Sequence, residues 1–151
     1  MPKAKVGDIE VYYEIHGEGE PLVLIEGLGY YHWMWFRQVP ELSKHFQVIA
    51  FDNRGVGDTD KPDVEYSIKM FADDTAGLLK ELGIEKANVL GVSMGGFIAQ
   101  ELALSHPDLV KRLVLVCTTF GGPESVPMTM EAWQVLNSGK PGASAREVAR
   151  T

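Results

Sequence analysis

The stretch Ala87-Asn88-Val89-Leu90-Gly91-Val92-Ser93-Met94-Gly95-Gly96 decides the fold of this 151-residue chain. An apolar run rich in strand-forming residues enters it, and a segment apolar nearly all round leaves it (Phe97 to His106, with Ile98, Ala99, Leu102, Ala103 and Leu104). The first reads as a buried strand and the second as a helix buried on more than one side, ended by Pro107. Between them, Gly91 to Gly95 fit the pattern G-x-S-x-G. The pattern alone is a weak signal, and the strand before it and helix after it make it a strong one. A serine on so sharp a strand-to-helix turn sits in strained backbone, and side chains two residues away on either side would collide. Gly91 and Gly95 relieve that crowding, and Gly96 lets the helix approach the sheet. The turn carries the Ser93 hydroxyl above the carboxyl ends of the strands, at a helix N-terminus whose N–H groups and dipole favour an oxyanion. The competing reading is a serine that only caps the helix; the flanking strand and helix favour a nucleophile.

Other apolar runs stop in the same manner. Leu22-Val23-Leu24-Ile25 ends at Glu26-Gly27-Leu28-Gly29, and Phe46 to Phe51 ends at Asp52-Asn53-Arg54-Gly55-Val56-Gly57. Leu113 to Cys117 ends at Thr118-Thr119, and the 16 glycines of the chain fall mostly at such ends. Short runs buried on both faces are what a parallel sheet covered by helices requires. Ile9 to Ile15 alternates instead and is followed by His16-Gly17-Glu18-Gly19-Glu20, which predicts a strand and turn in an opening hairpin. Ser67 is a good N-cap, and Phe71, Thr75, Leu78, Leu79 and Leu82 follow at helical spacing up to Gly83. Trp35, Val39 and Leu42 suggest a shorter helix broken near Pro40. The expected fold class is α/β, with a mostly parallel sheet and helices on both faces.

A serine hydrolase also needs a second oxyanion donor beside the Met94 N–H. The loop Glu26-Gly27-Leu28-Gly29 leaves a strand at the same sheet edge and can supply the Leu28 N–H. Just beyond it, Tyr30, Tyr31, His32, Trp33 and Trp35 would, with Gly27, form an aromatic pocket wall suited to an apolar acyl or alcohol group. The base is harder to place. His106 ends the helix that follows Ser93, roughly 20 Å away at about 1.5 Å per residue. His16 and His45 belong at the opposite sheet edge, and His32 reads better as pocket wall than as base. No carboxylate closes the strand that ends at Cys117.

With these residues in view, the chain resembles the α/β-hydrolase family over residues 6 to 120. It looks most like lid-bearing carboxylesterases and 3-oxoadipate enol-lactonase-like hydrolases, whose Arg-Gly-x-Gly loop and Ser-Met-Gly-Gly elbow it carries at Arg54 to Gly57 and Ser93 to Gly96. Serine rather than aspartate at position 93 argues against the dehalogenase and epoxide-hydrolase branches. The resemblance implies cleavage of a small ester or lactone without a cofactor, the triad acid and histidine lying after a helical lid. Many relatives carry histidine where this chain has Glu26. A carboxylate there would oppose an oxyanion, so Glu26 is expected to be neutral through burial or turned to accept backbone N–H groups.

From Gly121 the character changes. Residues 1–120 are expected to form the N-terminal part of the core and residues 121–151 the start of a lid, with helix candidates at Glu131 to Leu136 and from the capping box Ser144-Ala145-Arg146-Glu147. With neither acid nor base found, the chain reads as the front portion of a longer hydrolase. Removing later strands would leave Leu113 to Cys117 an apolar edge, so self-association or pairing with the remainder is expected.

Composition narrows the alternatives. A net charge of −7 without a basic stretch speaks against nucleic-acid binding. One cysteine, Cys117, excludes an internal disulfide framework and reads as core. No signal peptide or membrane-spanning run is evident, which suggests a cytoplasmic protein. Met70, Met94, Met128 and Met130 read as packing or lid residues, Asp73-Asp74 as a solvated helix face, and Asp52 with Arg54 as braces of their loop. A dinucleotide-binding oxidoreductase is the weaker alternative: Gly27-Leu28-Gly29-Tyr30-Tyr31-His32 half matches G-x-G-x-x-G and Asp52 ends the next strand, but His32 replaces the third glycine and a Trp-rich segment with Pro40 stands where a helix should begin.

Overall fold

A computed structural model describes residues 2–126 together with 129 and 130. The chain opens with β1 (Lys3–Val6) and β2 (Ile9–His16), a tight antiparallel hairpin in which Val6 faces Ile9 across the turn. Three buried runs form β3 (Glu20–Ile25), β4 (Phe46–Phe51) and β5 (Ala87–Val92), and β6 (Val110–Val116) is the last strand among the described residues. The strand order is β1-β2-β4-β3-β5-β6. β2 joins β4 antiparallel, whereas β4, β3, β5 and β6 are mutually parallel. The α/β fold with a mostly parallel sheet therefore stands as the sequence predicts.

Alternate residues of the central strands feed two separate cores. Val23, Ile25, Ile49, Phe51 and Val89 pack beneath α2 (Ile68–Glu81) and α3 (Met94–Ser105), meeting Leu78, Leu79, Ile98 and Leu102. Leu22, Leu24, Val48 and Ala50 face the other way, onto Trp35, Val39 and Leu42 around α1 (Val39–Leu42). Helices thus cover both faces. α2 begins where the sequence places it, the Ser67 hydroxyl accepting the Met70 N–H at 3.1 Å.

The topology also locates a crevice. From β3 the chain crosses to β4 on one side, and from β5 it crosses to β6 on the other. The loops leaving the carboxyl ends of β3 and β5 therefore part from each other, which is where open α/β sheets hold ligands.

Several expectations change. Pro40 does not break a helix but sits in the first turn of α1, where its missing N–H costs nothing. α3 starts at Met94, directly after the serine, as the turn at Ser93 leads one to expect. β6 is not buried on both faces: among the described residues it is the last strand of the sheet, the edge position expected of it, with Leu113, Val114, Leu115 and Val116 between 37% and 46% exposed. Cys117 is accordingly exposed rather than core. Asp74 is buried, so only Asp73 belongs to a solvated face.

Residues Met1–Thr119 form one compact unit and Phe120–Thr151 a second. In the latter, Gly121 and Gly122 adopt positive φ, and the Ser125 hydroxyl donates to the Gly121 carbonyl at 2.7 Å. The helix candidates at Glu131 to Leu136 and Ser144 to Glu147, and the connection at Ser138 to Gly142, lie outside the described residues, as does Met128.

Candidate active site

Ser93 joins β5 to α3 at φ 53° and ψ −117°, a conformation that L-residues avoid. It is held there by bonds around it: its N–H donates to Val116 O at 3.0 Å, and its carbonyl accepts the Gly96 N–H and the Thr118 hydroxyl, both at 2.9 Å. The serine side chain makes no capping bond to the helix it precedes. The elbow also shows why its glycines are glycines. A Cβ on Gly91 would stand 2.2 Å from the Gly95 carbonyl oxygen, one on Gly95 2.2 Å from that of Ile25, and one on Gly96 2.4 Å from the Thr118 side chain.

The loop after β3 reaches the serine. A Cβ on Gly27 would lie 3.4 Å from Ser93 Cβ and 3.9 Å from its Oγ, so loop backbone and hydroxyl are neighbours. Leu28 follows, 76% exposed, and Met94 opens α3. A cavity of about 200 Å3 lies here, lined by Gly27, Leu28, Gly29 and Tyr30 from the first loop, by Asn53, Arg54 and Val56 after β4, and by Tyr66, Phe71 and Met94.

Glu26 is fully buried at the base of this loop. Its Oε1 accepts the Asn53 N–H at 2.7 Å, while Oε2 has no partner. Burial is the dominant influence and raises its pKa well above the ordinary carboxylate value, against the lowering effect of the Asn53 bond. Both expected ways of muting its charge are present together.

The aromatic segment divides. Tyr30 lines the cavity, whereas Tyr31, His32, Trp33 and Trp35 are not among its lining residues. Trp35 is 5% exposed and belongs to the core on the α1 face. Trp33 stacks on Phe36 at 4.9 Å, and Tyr31 meets the His32 ring edge-on at 5.4 Å. His32 turns toward Asp52: its backbone N–H donates to Oδ1, and its Nδ1 lies 2.7 Å from the same oxygen. Its Nε2 lies 3.7 Å from Glu14. With carboxylates against both ring nitrogens, His32 is an anchor of its loop.

Asp52 and Arg54 do brace their segment, but with other partners. Asp52 Oδ2 accepts the Asp58 N–H at 2.7 Å. Arg54 forms a bidentate pair with Asp74 of α2 (2.5 and 2.7 Å) and reaches Asp8 at 3.2 Å. These partners hold the guanidinium charged, Asp74 most strongly. The contribution of Asn53, Val56, Tyr66 and Phe71 to the cavity escapes sequence reading. The one available signal is that Asn53 and Val56 follow a parallel strand at the carboxyl edge.

The family model described as alpha/beta hydrolase fold matches residues 20–151. The chain belongs to the alpha/beta hydrolase fold family. Within this family it is 40% identical, over 116 residues, to a protein of Azorhizobium caulinodans that carries the name carbamate hydrolase RutD; the match covers 77% of this chain and 44% of the relative. A soluble epoxide hydrolase of Corynebacterium sp. is 35% identical over 114 residues, 76% of this chain and 40% of that one. Among solved structures, the enol-lactonase of Burkholderia xenovorans superposes with a TM-score of 0.72 at 40% identity, covering 74% of this chain and 45% of its own. The chain thus spans less than half the length of these hydrolases. Among its described residues no cluster of potential metal ligands occurs and no helix is long and apolar enough to cross a membrane.

Proposed function

We propose that this alpha/beta hydrolase cleaves a carboxylic ester or lactone by nucleophilic attack of Ser93. The observation that carries the reading is the strained serine backbone, with the Gly27 loop against the hydroxyl and helix α3 opening behind it. Attack on the carbonyl carbon would form a tetrahedral intermediate whose oxyanion is held by the Met94 and Leu28 N–H groups. The leaving alcohol departs on collapse, and water then releases the acid. A histidine and a carboxylate outside these 151 residues would complete the triad, since His32 is engaged with Asp52 and His106 lies at the far end of α3. The test is intact-mass analysis after exposure to a fluorophosphonate, on this chain alone and on the full-length protein. A single adduct on Ser93 only in the longer form is expected. Equal labelling of a Ser93→Ala variant would overturn the assignment.

The exposed apolar side chains of β6 favour a second reading for the isolated chain, self-association or pairing with its remainder through that edge.

A further inference from the structure

Among the described residues, Ser93 and Cys117 are the only non-glycine positions with positive φ, at 53° and 49°. They follow directly on Val92 and Val116, which face each other across the parallel strands β5 and β6. Two strained residues thus stand side by side at the carboxyl edge of the sheet. The elbow accounts for the strain at Ser93. Strained backbone persists where its surroundings over-determine it, and it gathers at functional sites, so Cys117 calls for a reason of its own. Directly beyond it, the Thr118 hydroxyl donates to the Ser93 carbonyl at 2.9 Å. The rest of this threonine is seated with equal care. A Cβ on Gly96 would stand 2.4 Å from its Cγ2 and 2.5 Å from its Cβ, so a bare Gly96 is what admits the side chain. Gln100 of α3 secures the next residue, its Nε2 donating to Thr119 O at 2.9 Å and to Gly96 O at 3.0 Å.

We propose that Thr118 is a positioning residue of the oxyanion hole, acting through the peptide that joins Ser93 to Met94. The inference rests on the Ser93 reading above, in which the Met94 N–H receives the oxyanion. That N–H and the Ser93 carbonyl belong to one planar trans peptide and point in opposite directions. Fixing the oxygen therefore fixes the donor: a rotation that swings the N–H off the oxyanion also carries the oxygen off Thr118. The Gly96 N–H bonds the same oxygen at 2.9 Å, but it belongs to the turn that opens α3 and moves with it. Thr118 reaches the oxygen from beyond a separate strand, 25 residues along the chain. A second effect is electronic. A hydrogen bond accepted by an amide oxygen polarises the amide and makes its N–H a stronger donor. Both effects act on charge that develops in the transition state, and Thr118 does not line the cavity. Loss of its hydroxyl should therefore lower kcat and leave KM in place.

Full-length Thr118→Val and Thr118→Ser proteins test this with p-nitrophenyl acetate, turnover being counted per serine that a fluorophosphonate labels. Valine keeps the branched shape against Gly96 and removes the donor, whereas serine keeps the donor. Losing an oxyanion donor outright costs about 10²–10³-fold in kcat, so a donor loosened but still present should cost about tenfold. Thr118→Val should show that loss with KM within about twofold of native, and Thr118→Ser should return kcat to within about threefold. A trifluoromethyl ketone, whose adduct with Ser93 carries the oxyanion, should bind the valine variant more weakly by the same factor as kcat falls. An unchanged kcat, a rise in KM alone, an unchanged ketone affinity, or a serine variant as slow as the valine one would each overturn the proposal. A lowered unfolding midpoint with native turnover per labelled serine would make Thr118 a structural group only, and overturns it too. All of these leave the hydrolase reading standing. A native full-length protein that leaves the ester uncut removes that reading, and the role of Thr118 with it.

Discussion

Oε1 of Glu26 accepts the backbone N–H of Asn53 at 2.7 Å, tying together the ends of the neighbouring parallel strands β3 and β4. Burial pushes the pKa of this carboxyl well above its ordinary value, against the lowering effect of the Asn53 bond. The native state then binds its proton more tightly than the unfolded state does. Between the ordinary carboxylate value and the raised one, the folded form carries more protons, so stability is present at low pH and lost as pH rises through the raised value. The limiting slope for one proton is about 1.4 kcal/mol per pH unit. Glu26→Gln keeps the acceptor and removes the titration. Unfolding midpoints measured from pH 4 to 8 should fall less steeply for the variant than for the native chain; parallel curves would contradict a raised Glu26 pKa. Turnover in the full-length protein should change little, and a hundredfold loss would assign Glu26 a part in the chemistry.

Arg54 and Asp74 supply a second case of buried charge, with side chains 4% and 9% exposed. Removing one partner strands the other, which in comparable buried pairs costs roughly 3–5 kcal/mol. Asp74→Ala should therefore lower the urea midpoint sharply. The adjacent pair Lys69–Asp73 is open to solvent, and Lys69→Ala should leave the midpoint where it was. Equal effects of the two substitutions would mean that the bidentate pair does not hold the Gly55 loop to α2.

The elbow makes a steric prediction. A Cβ at Gly95 would overlap the Ile25 and Glu26 carbonyl oxygens at 2.2 and 2.7 Å, so α3 or the end of β3 must move. Gly95→Ala should cost about 1–3 kcal/mol or more and disturb the Ser93 backbone. Gly83, at φ +69° with nothing near its missing Cβ, should lose only about 1 kcal/mol on the same change, from backbone strain alone. Chemical unfolding of the two variants side by side checks the order.

What could be read from sequence is local in origin. Ser67 as a cap, Gly83 as a stop, the apolar strands and the G-x-S-x-G turn all announce themselves within a few residues. The details that failed are those set by distant partners. Asp74 looks solvated until Arg54, 20 residues earlier, is brought against it. Trp35 looks like pocket lining until Leu22, Leu24 and Val48 claim it for the core. The run Leu113 to Cys117 has the composition of a buried strand, and its place as an edge, which the missing acid and base suggested, agrees with the sheet order among the described residues. Asn53 carries no local signal beyond its place after a strand.

That edge yields a prediction for the chain in solution. Among the described residues β6 pairs with a strand on one side only, β5. Four apolar side chains in a row are partly exposed on it, a template for added strands. Light scattering of this chain should show a concentration-dependent rise in mass, and Val114→Lys should reduce it. A monomer at high concentration in the native form would remove the case for pairing through β6.

The remaining prediction separates an anchor from a base at His32. Asp52 is fully buried, and the His32 ring supplies one of the hydrogen bonds that its carboxylate receives, beside the N–H groups of His32 and Asp58. His32→Ala removes the ring bond and leaves both backbone donors in place. Bonds to a charged acceptor contribute about 1.5–3 kcal/mol, so the variant should unfold earlier by that amount. General-base catalysis, by contrast, contributes about 10²–10⁴-fold to rate. An anchoring histidine predicts that the full-length His32→Ala protein still labels with fluorophosphonate at Ser93 within tenfold of the native rate, once temperature is held well below its unfolding transition. Loss of labelling by three orders of magnitude with the fold intact would instead make His32 the base. That outcome would require Nδ1 to keep its bond to Asp52 while Nε2 leaves Glu14 for Ser93, an arrangement a single crystal structure with a bound phosphonate would reveal.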